Sequence, residues 1–449
     1  MTRTAAADRW LYAWALGSVA AGVASLLVPL YVVALGGGPV ALGVLASTAA
    51  IVGAPGAIAV GRIADRTGQR RSLLLVALSA LAGTLAVVPL LESVLLVVVV
   101  NAVLWLAWAA VAPVVTMLVV ETAAASGWNE RIGTLNAYQG YGWAGGLLLG
   151  TGWTIGGSYV FTPLFAQRTL FALCALCGVG ALVGILRYLP DNSAETRNRV
   201  QTRRIATLLS NSRRHVKSAT FAFSPNRLYW TTRTLDLRRL STRFTPALTA
   251  YFGAALLFFT GFAAFWAPLP VYLTEVGYGS GSVFALFLAA SLGSAVFYVP
   301  AGRLSDRYDL RYVQSGALCV RALLFPAIVV LGASVTLDWL AFPVALGLLA
   351  VIGLTWGVIA VAGTAIVTRL AAPTLRGELL GIYTALSAVG GGIGGVLGGG
   401  LASFGYTLAF AVAGALVLLS AVVVFTIQSL SPERHPVASG TVDAAEGQN

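Results

Sequence analysis

Apolar residues come in long uninterrupted runs, not in the alternating or 3.6-residue stripes of a soluble fold. Twelve runs reach the roughly 20 residues a membrane helix needs. They cover 10–34, 40–60, 72–90, 93–118, 133–156 and 164–188, then 247–272, 281–301, 312–333, 340–367, 379–402 and 407–428. The pattern predicts an all-α integral membrane protein with 12 transmembrane helices. The stretch 189–246 breaks the series and divides it six and six. The expected organisation is a six-helix half over 1–188, a basic linker over 189–246, a second half over 247–430 and a polar tail over 431–449. The first run, from Trp10, is too long for a signal peptide and lacks a cleavage site.

Composition supports the same solvent. The chain is 58% hydrophobic and 10% charged, an excess that a globular core of 449 residues cannot hide. The net charge of +12 would suggest nucleic acid in a soluble protein. Here its placement matters more, because cationic side chains gather on the cytoplasmic side of membrane proteins. Of 28 basic residues, 26 fall in one set of alternate loops and the two tails. Among the rest, Arg168 lies in the other loop set and Arg321 inside a span. Both termini and the linker are therefore expected in the cytoplasm, in a multi-pass protein of the cell membrane. The linker alone holds twelve basic and three acidic residues. It reads equally as a tether or as an amphipathic helix on anionic headgroups. Neither reading calls for nucleic acid.

Little in the chain suits enzyme chemistry. His215 and His435 lie in the linker and the tail, and no metal-ligand or nucleophile motif is present. Cys174 and Cys177 sit in an apolar run without the second pair that a zinc site requires; with Cys319 they read as apolar filler. Gly140, Gly142 and Gly145 satisfy a dinucleotide fingerprint, but inside an apolar helix and not after a strand. Their neighbours Gly142, Gly146 and Gly150 recur every four residues, as do Gly390, Gly394 and Gly398. Such rows bring helices close together, here expected where the two halves meet.

One charged phrase occurs twice, 241 positions apart. Gly61-Arg62-Ile63-Ala64-Asp65-Arg66-Thr67-Gly68-Gln69-Arg70-Arg71 follows the second run, and Gly302-Arg303-Leu304-Ser305-Asp306-Arg307-Tyr308-Asp309-Leu310-Arg311 follows the eighth. The repeat indicates two related halves, an arrangement typical of transporters. Each copy reads as a very short turn between two helices. The second copy has Asp309 where the first has Gly68, and its turn is expected to be looser.

The phrase resembles the G-x-L-A-D-R-x-G-R-R signature of the major facilitator superfamily. Gly61, Ala64, Asp65, Arg66, Gly68 and Arg70 match in the first copy; Gly302, Asp306, Arg307 and Arg311 match in the second. The resemblance implies that superfamily's fold of two six-helix repeats and transport by alternating access. It also implies a cytoplasmic latch in which Asp65 approaches the start of span 11. Arg66 or Arg70 would meet Glu121 at the end of span 4. Arg131 and Arg376 hold comparable places before spans 5 and 11. The Gly-Pro motif associated with antiporters has its glycines here but not its proline.

The resemblance further implies that spans 1, 4, 7 and 10 line a central path, helped by 2, 5, 8 and 11. The candidate lining residues are Asn101, Trp105, Asn136, Gln139, Tyr251, Trp266, Trp356, Tyr383 and Thr384. No Asp or Glu falls at mid-depth in these spans, so the usual desolvated carboxylate for proton coupling is missing. Arg321 sits ten residues past Arg311, about 15 Å along a helix, which makes it an intramembrane charge. The expected function is secondary transport of a small solute by a monomer, with efflux of drug-like or metabolite compounds first and uptake of a sugar or organic acid second. A non-transporting sensor is the distant alternative. No cofactor is expected, and H+ and Na+ both remain open as coupling ions.

Overall fold

The computed structural model describes residues 9–121, 128–189, 245–334, 338–372 and 375–427. The first half comprises α1 (Arg9–Ala34), α2 (Pro39–Thr67), α3 (Arg70–Val87), α4 (Val94–Glu121), α5 (Trp128–Gly157) and α6 (Pro163–Tyr188). The second comprises α7 (Pro246–Trp266), α8 (Ser280–Arg307), α9 (Leu310–Ser334), α10 (Asp338–Leu370), α11 (Arg376–Ala402) and α12 (Tyr406–Thr426). A 3-10 turn, Val88–Leu90, extends α3, and a short helix, Leu269–Glu275, continues α7 after a break at Ala267 and Pro268. No strand occurs among the described residues.

The apolar runs become helices because a backbone in lipid must satisfy its own hydrogen bonds. The same constraint lets α1, α2, α4, α8, α9 and α10 keep internal prolines. Eleven of the helices are long and apolar enough to cross a membrane; α5, at 30 residues, matches them in length but is more polar. Pro39, Pro163 and Pro246 open their helices, where a missing N–H costs nothing.

The two halves repeat one packing plan. In the first, α1 packs on α5 and α6, and α3 and α4 complete the bundle through α2, α4 and α6. In the second, α7 packs on α11 and α12, while α8, α9 and α10 reproduce the remaining contacts. Between halves the contacts swap: α2 meets α11, and α5 meets α8.

The repeated phrase is not a loop. The last turns of α2 run through Thr67 and those of α8 through Arg307, so Asp65, Arg66, Asp306 and Arg307 stand on helices. The apolar run ends where the chain leaves the apolar layer, and the helix continues beyond it. Only Gly68 and Gln69 form the first turn. Gly68 has φ +70° and closes α2 with its N–H on the Ala64 carbonyl, 3.0 Å away, a left-handed cap for which glycine is suited.

The second turn is ordered, not looser. Asp309 Oδ1 accepts from the Arg311 N–H at 3.0 Å, and Asp309 Oδ2 takes the Arg311 guanidinium. Arg311 Nη1 reaches the Ile427 carbonyl at the end of α12, 2.8 Å away. The first half does the same with Arg71, whose Nη2 lies 2.9 Å from the Leu186 carbonyl at the end of α6. Carboxylate capping thus replaces the glycine turn.

Candidate functional site

The face carrying both phrases, the start of α1 and the ends of α6 and α12 is termed the linker face. Specific contacts between the halves gather toward the other face. Ser47 Oγ of α2 donates to the Gly392 carbonyl of α11 at 2.6 Å, and a Cβ on Gly43 would lie 3.0 Å from Gly399 Cα. Gln167 Nε2 on α6 donates to Ser280 Oγ at the start of α8, 3.0 Å away, and Gly281 lies against Thr154 and Ile155 of α5. Toward the linker face, space surrounds Gly133, and Arg66, Asp306 and Arg307 are exposed. Among the described residues, these specific contacts between the halves lie toward the face opposite the linker.

The glycine rows correct one expectation. Gly142 and Gly146 pack α5 onto α1, and Gly390, Gly394 and Gly398 pack α11 onto α7, within each half. Only Gly150, against Phe284, touches the other half. The interface instead uses Gly391, Gly392, Gly395 and Gly399, which look toward α2. A shift of one residue turns a helix side by about 100°, so adjacent glycine rows serve different neighbours.

The expected latch residues divide. Gly61 and Gly302 are buried in their helices, and Arg131 is half-buried in the first turn of α5. Arg70 is half-buried at the start of α3. Arg311 acts within the second half, as does Arg376, whose Nε donates to the Thr368 carbonyl at 3.0 Å. The side chains of Asp65 and Glu121, and the linker and tail, lie outside the described residues.

The halves meet mainly through α2 on α11 and α5 on α8, with a smaller contact of α1 on the short helix Leu269–Glu275. Each half carries an aromatic wall. In the first half, Trp14 stacks on Trp108 with centroids 4.9 Å apart, and Trp143 approaches Trp105 and Trp108 at 6.2 and 6.5 Å. Trp14 Nε1 is buried without an acceptor. In the second, Phe262 meets Trp356 edge-on at 5.8 Å.

These walls are repeat mates: Trp14 and Phe262 are separated by 248 positions, as are Trp108 and Trp356, the spacing that also relates Gly133 to Gly381. That spacing was the signal for Trp14 and Phe262, which sequence reasoning passed over. Trp105 joins the wall, and Trp266 packs edge-on against Phe287 of α8 at 5.2 Å. Asn101 is buried in α4, and Asn136 and Gln139 are half-buried on α5.

Tyr251 and Tyr383 form a separate polar cluster nearer the linker face. Their rings stack at 6.0 Å, and Tyr251 Oη donates to Gln314 Oε1 of α9 at 3.0 Å. Both hydroxyls press on Gly363 of α10, where a Cβ would lie 3.0 Å from Tyr251 Oη and closer still to Tyr383 Oη. Thr384 Oγ1 donates to the Leu380 carbonyl of its own helix at 3.0 Å.

Arg321 is completely buried, although α9 packs at the periphery on α10 and α12. Its side chain points inward. Nε donates to Thr355 Oγ1 at 3.0 Å and Nη2 to the Ile352 carbonyl of α10. Phe262, Trp356 and Phe325 surround the guanidinium, with ring centroids 4.4, 5.6 and 5.9 Å from Cζ.

The major facilitator superfamily model matches residues 14–346 and 251–446. The chain belongs to the major facilitator superfamily. Its fold is shared with the nucleoside transporter NupG, at TM-score 0.66 and 11% identity over 95% of this chain and 99% of that one. The human organic anion transporter MFSD10 (TETRAN) gives 0.56 and 15% over 94% and 100%. The proton:xylose symporter XylE gives 0.56 and 13% over 96% and 97%. None of the curated proteins compared with the chain matches it. The protein is thus a multi-pass membrane transporter of two six-helix repeats, and not an enzyme.

Proposed function

We propose that this superfamily member is a secondary active transporter of the cell membrane that exports amphipathic, aromatic-bearing solutes by alternating access. The observation that carries the reading is the pair of repeat-related aromatic walls. They recur at one 248-residue spacing, Trp14 with Trp108 in the first half and Phe262 with Trp356 in the second. The placement of the basic residues favours the linker face as the cytoplasmic one. Rocking the two halves about the middle would then expose the site to each side of the membrane in turn.

Flat hydrophobic rings with few polar partners suit a solute of mixed character. Uptake is the second reading, kept by the nucleoside and xylose transporters among the fold relatives. Coupling to H+ or Na+, monomeric state, and contact of the linker with anionic lipid belong to the same proposal.

Purified protein in proteoliposomes, given an imposed pH or Na+ gradient and a panel of radiolabelled aromatic acids, nucleosides and pentoses, tests it. Gradient-driven movement of aromatic compounds toward the side opposite the linker face is expected. Accumulation on the linker side, or movement of pentoses alone, would replace export by uptake.

A further inference from the structure

Nine acidic residues fall in the described segments: Asp65, Glu92, Glu121, Glu130, Glu275, Asp306, Asp309, Asp338 and Glu378. Every one stands at a helix end or in a turn. Arg321, midway along α9, therefore has no carboxylate at its own depth. Its hydrogen bonds go to a hydroxyl and a carbonyl, both neutral. They hold the guanidinium in place and leave its charge uncancelled.

The rings against it belong to the second-half aromatic wall. Phe262 has its face on the guanidinium and Trp356 is nearby, half-buried on α10. A cation on one side of a ring draws on the ring's negative face. Phe262 is itself buried, so the half-buried Trp356 is the ring that can meet a solute, and its far side is then poorer at holding a second cation. In the first half, the helix corresponding to α9 has no buried charge among its described residues: α3 carries buried Leu74, Leu78, Leu81 and Leu85 along its inner side. The two walls are thus alike in shape and unlike in potential.

We propose that Arg321 is a specificity element: it sets a fixed positive potential behind Phe262 and Trp356, so the site selects anionic aromatic solutes, such as aryl carboxylates, over cations of the same shape. The guanidinium acts through the rings, and its burial keeps water from screening it. A unit charge about 8 Å away in a medium of effective dielectric about 20 biases an anion over its neutral analogue by at least ten-fold. This inference rests on the transporter reading and names the substrate class of the same site.

The test uses full-length protein in lipid nanodiscs and three probes of one shape: 1-naphthoate, 1-naphthamide and 1-naphthylmethylamine. Binding is read by quenching of the wall tryptophans. In the unaltered protein the order should be carboxylate, amide, amine, with a ratio of about ten-fold or more at each step. Arg321→Gln should collapse that ratio toward one, and Arg321→Lys should restore most of it. A ratio unchanged in Arg321→Gln protein with the parental melting temperature overturns the proposal; so does unaltered protein that prefers the amine or binds none of the three. Alternating accessibility of single cysteines on the two faces is measured in parallel and needs no solute. Its failure would remove the transporter reading, whereas a lost charge preference with intact alternation would remove only this inference.

Discussion

At the scale of single residues, the turn after α8 shows how a substitution can preserve a role by changing its chemistry. Asp309 is buried and receives three hydrogen bonds from Arg311, which in turn fixes the end of α12. Charged hydrogen bonds of this kind contribute about 1.5–3 kcal/mol each, and losing one partner strands the other. Arg311→Ala should lower the unfolding free energy by about 1–3 kcal/mol, and so should Asp309→Ala. The double variant should cost clearly less than the two singles together, because the pair is lost once. Chemical denaturation in detergent, run as a double-mutant cycle, checks this; additive single effects would show that the two side chains act independently. Arg71, which holds the end of α6 from a turn where Gly68 stands in place of Asp309, is the natural comparison.

At the scale of helices, glycine decides which pairs pack closely. A Cβ on Gly353 would meet the backbone of Ala290, with Ala290 Cα 2.9 Å away, and a Cβ on Gly293 would lie 3.2 Å from the Leu354 nitrogen. The α8–α10 contact therefore depends on both glycines being bare. Gly353→Ala should cost about 1–3 kcal/mol through overpacking. Gly152→Ala should be neutral or stabilising by about 0.5–1 kcal/mol, since nothing lies within 4 Å of that Cβ and alanine is the better helix former. Melting of the two variants beside the parent tests the contrast, and equal losses would contradict it.

The same scale shows what the sequence made legible. Helix positions followed from the apolar runs, because a lipid-facing helix must be apolar over its full length. The ends of α2 and α8 did not, because the helix outlasts the apolar layer and its charged turns look like loop. The phrase identified the family through residues near the linker face. The inward aim of Arg321 was not legible, because only the packing of α7 and α10 against α9 reveals which side of that helix is buried. Trp14 and Phe262 look like ordinary apolar filler until the 248-residue spacing pairs them with Trp108 and Trp356.

For the whole molecule, the decisive property is the balance between two closures. The face opposite the linker is held by α2 on α11 and by α5 on α8. At the first contact, a Cβ on Gly395 would fall 2.5 Å from Ser47 Oγ and 3.0 Å from the Gly43 carbonyl. Ser47 cannot move away without giving up its hydrogen bond to Gly392. Gly395→Val therefore has no local remedy except separating α11 from α2. Its strain, about 1–3 kcal/mol by analogy with overpacked cores, falls on the present conformation and is relieved in the alternate one. Because 1.4 kcal/mol is a factor of ten, the population should shift about ten-fold toward opening on that face. Spin labels at exposed Gln69 and Tyr308 report the linker face, and labels at exposed Glu92 and Val276 report the other. Cys174, Cys177 and Cys319 would first be replaced by alanine. In double electron–electron resonance, Gly395→Val should shorten the Gln69–Tyr308 distance and lengthen the Glu92–Val276 distance together. Lengthening on one face without shortening on the other would mean that the halves merely come apart. That outcome would exclude the rocking motion, because a rigid pivot between two six-helix bodies cannot open one face without closing the other.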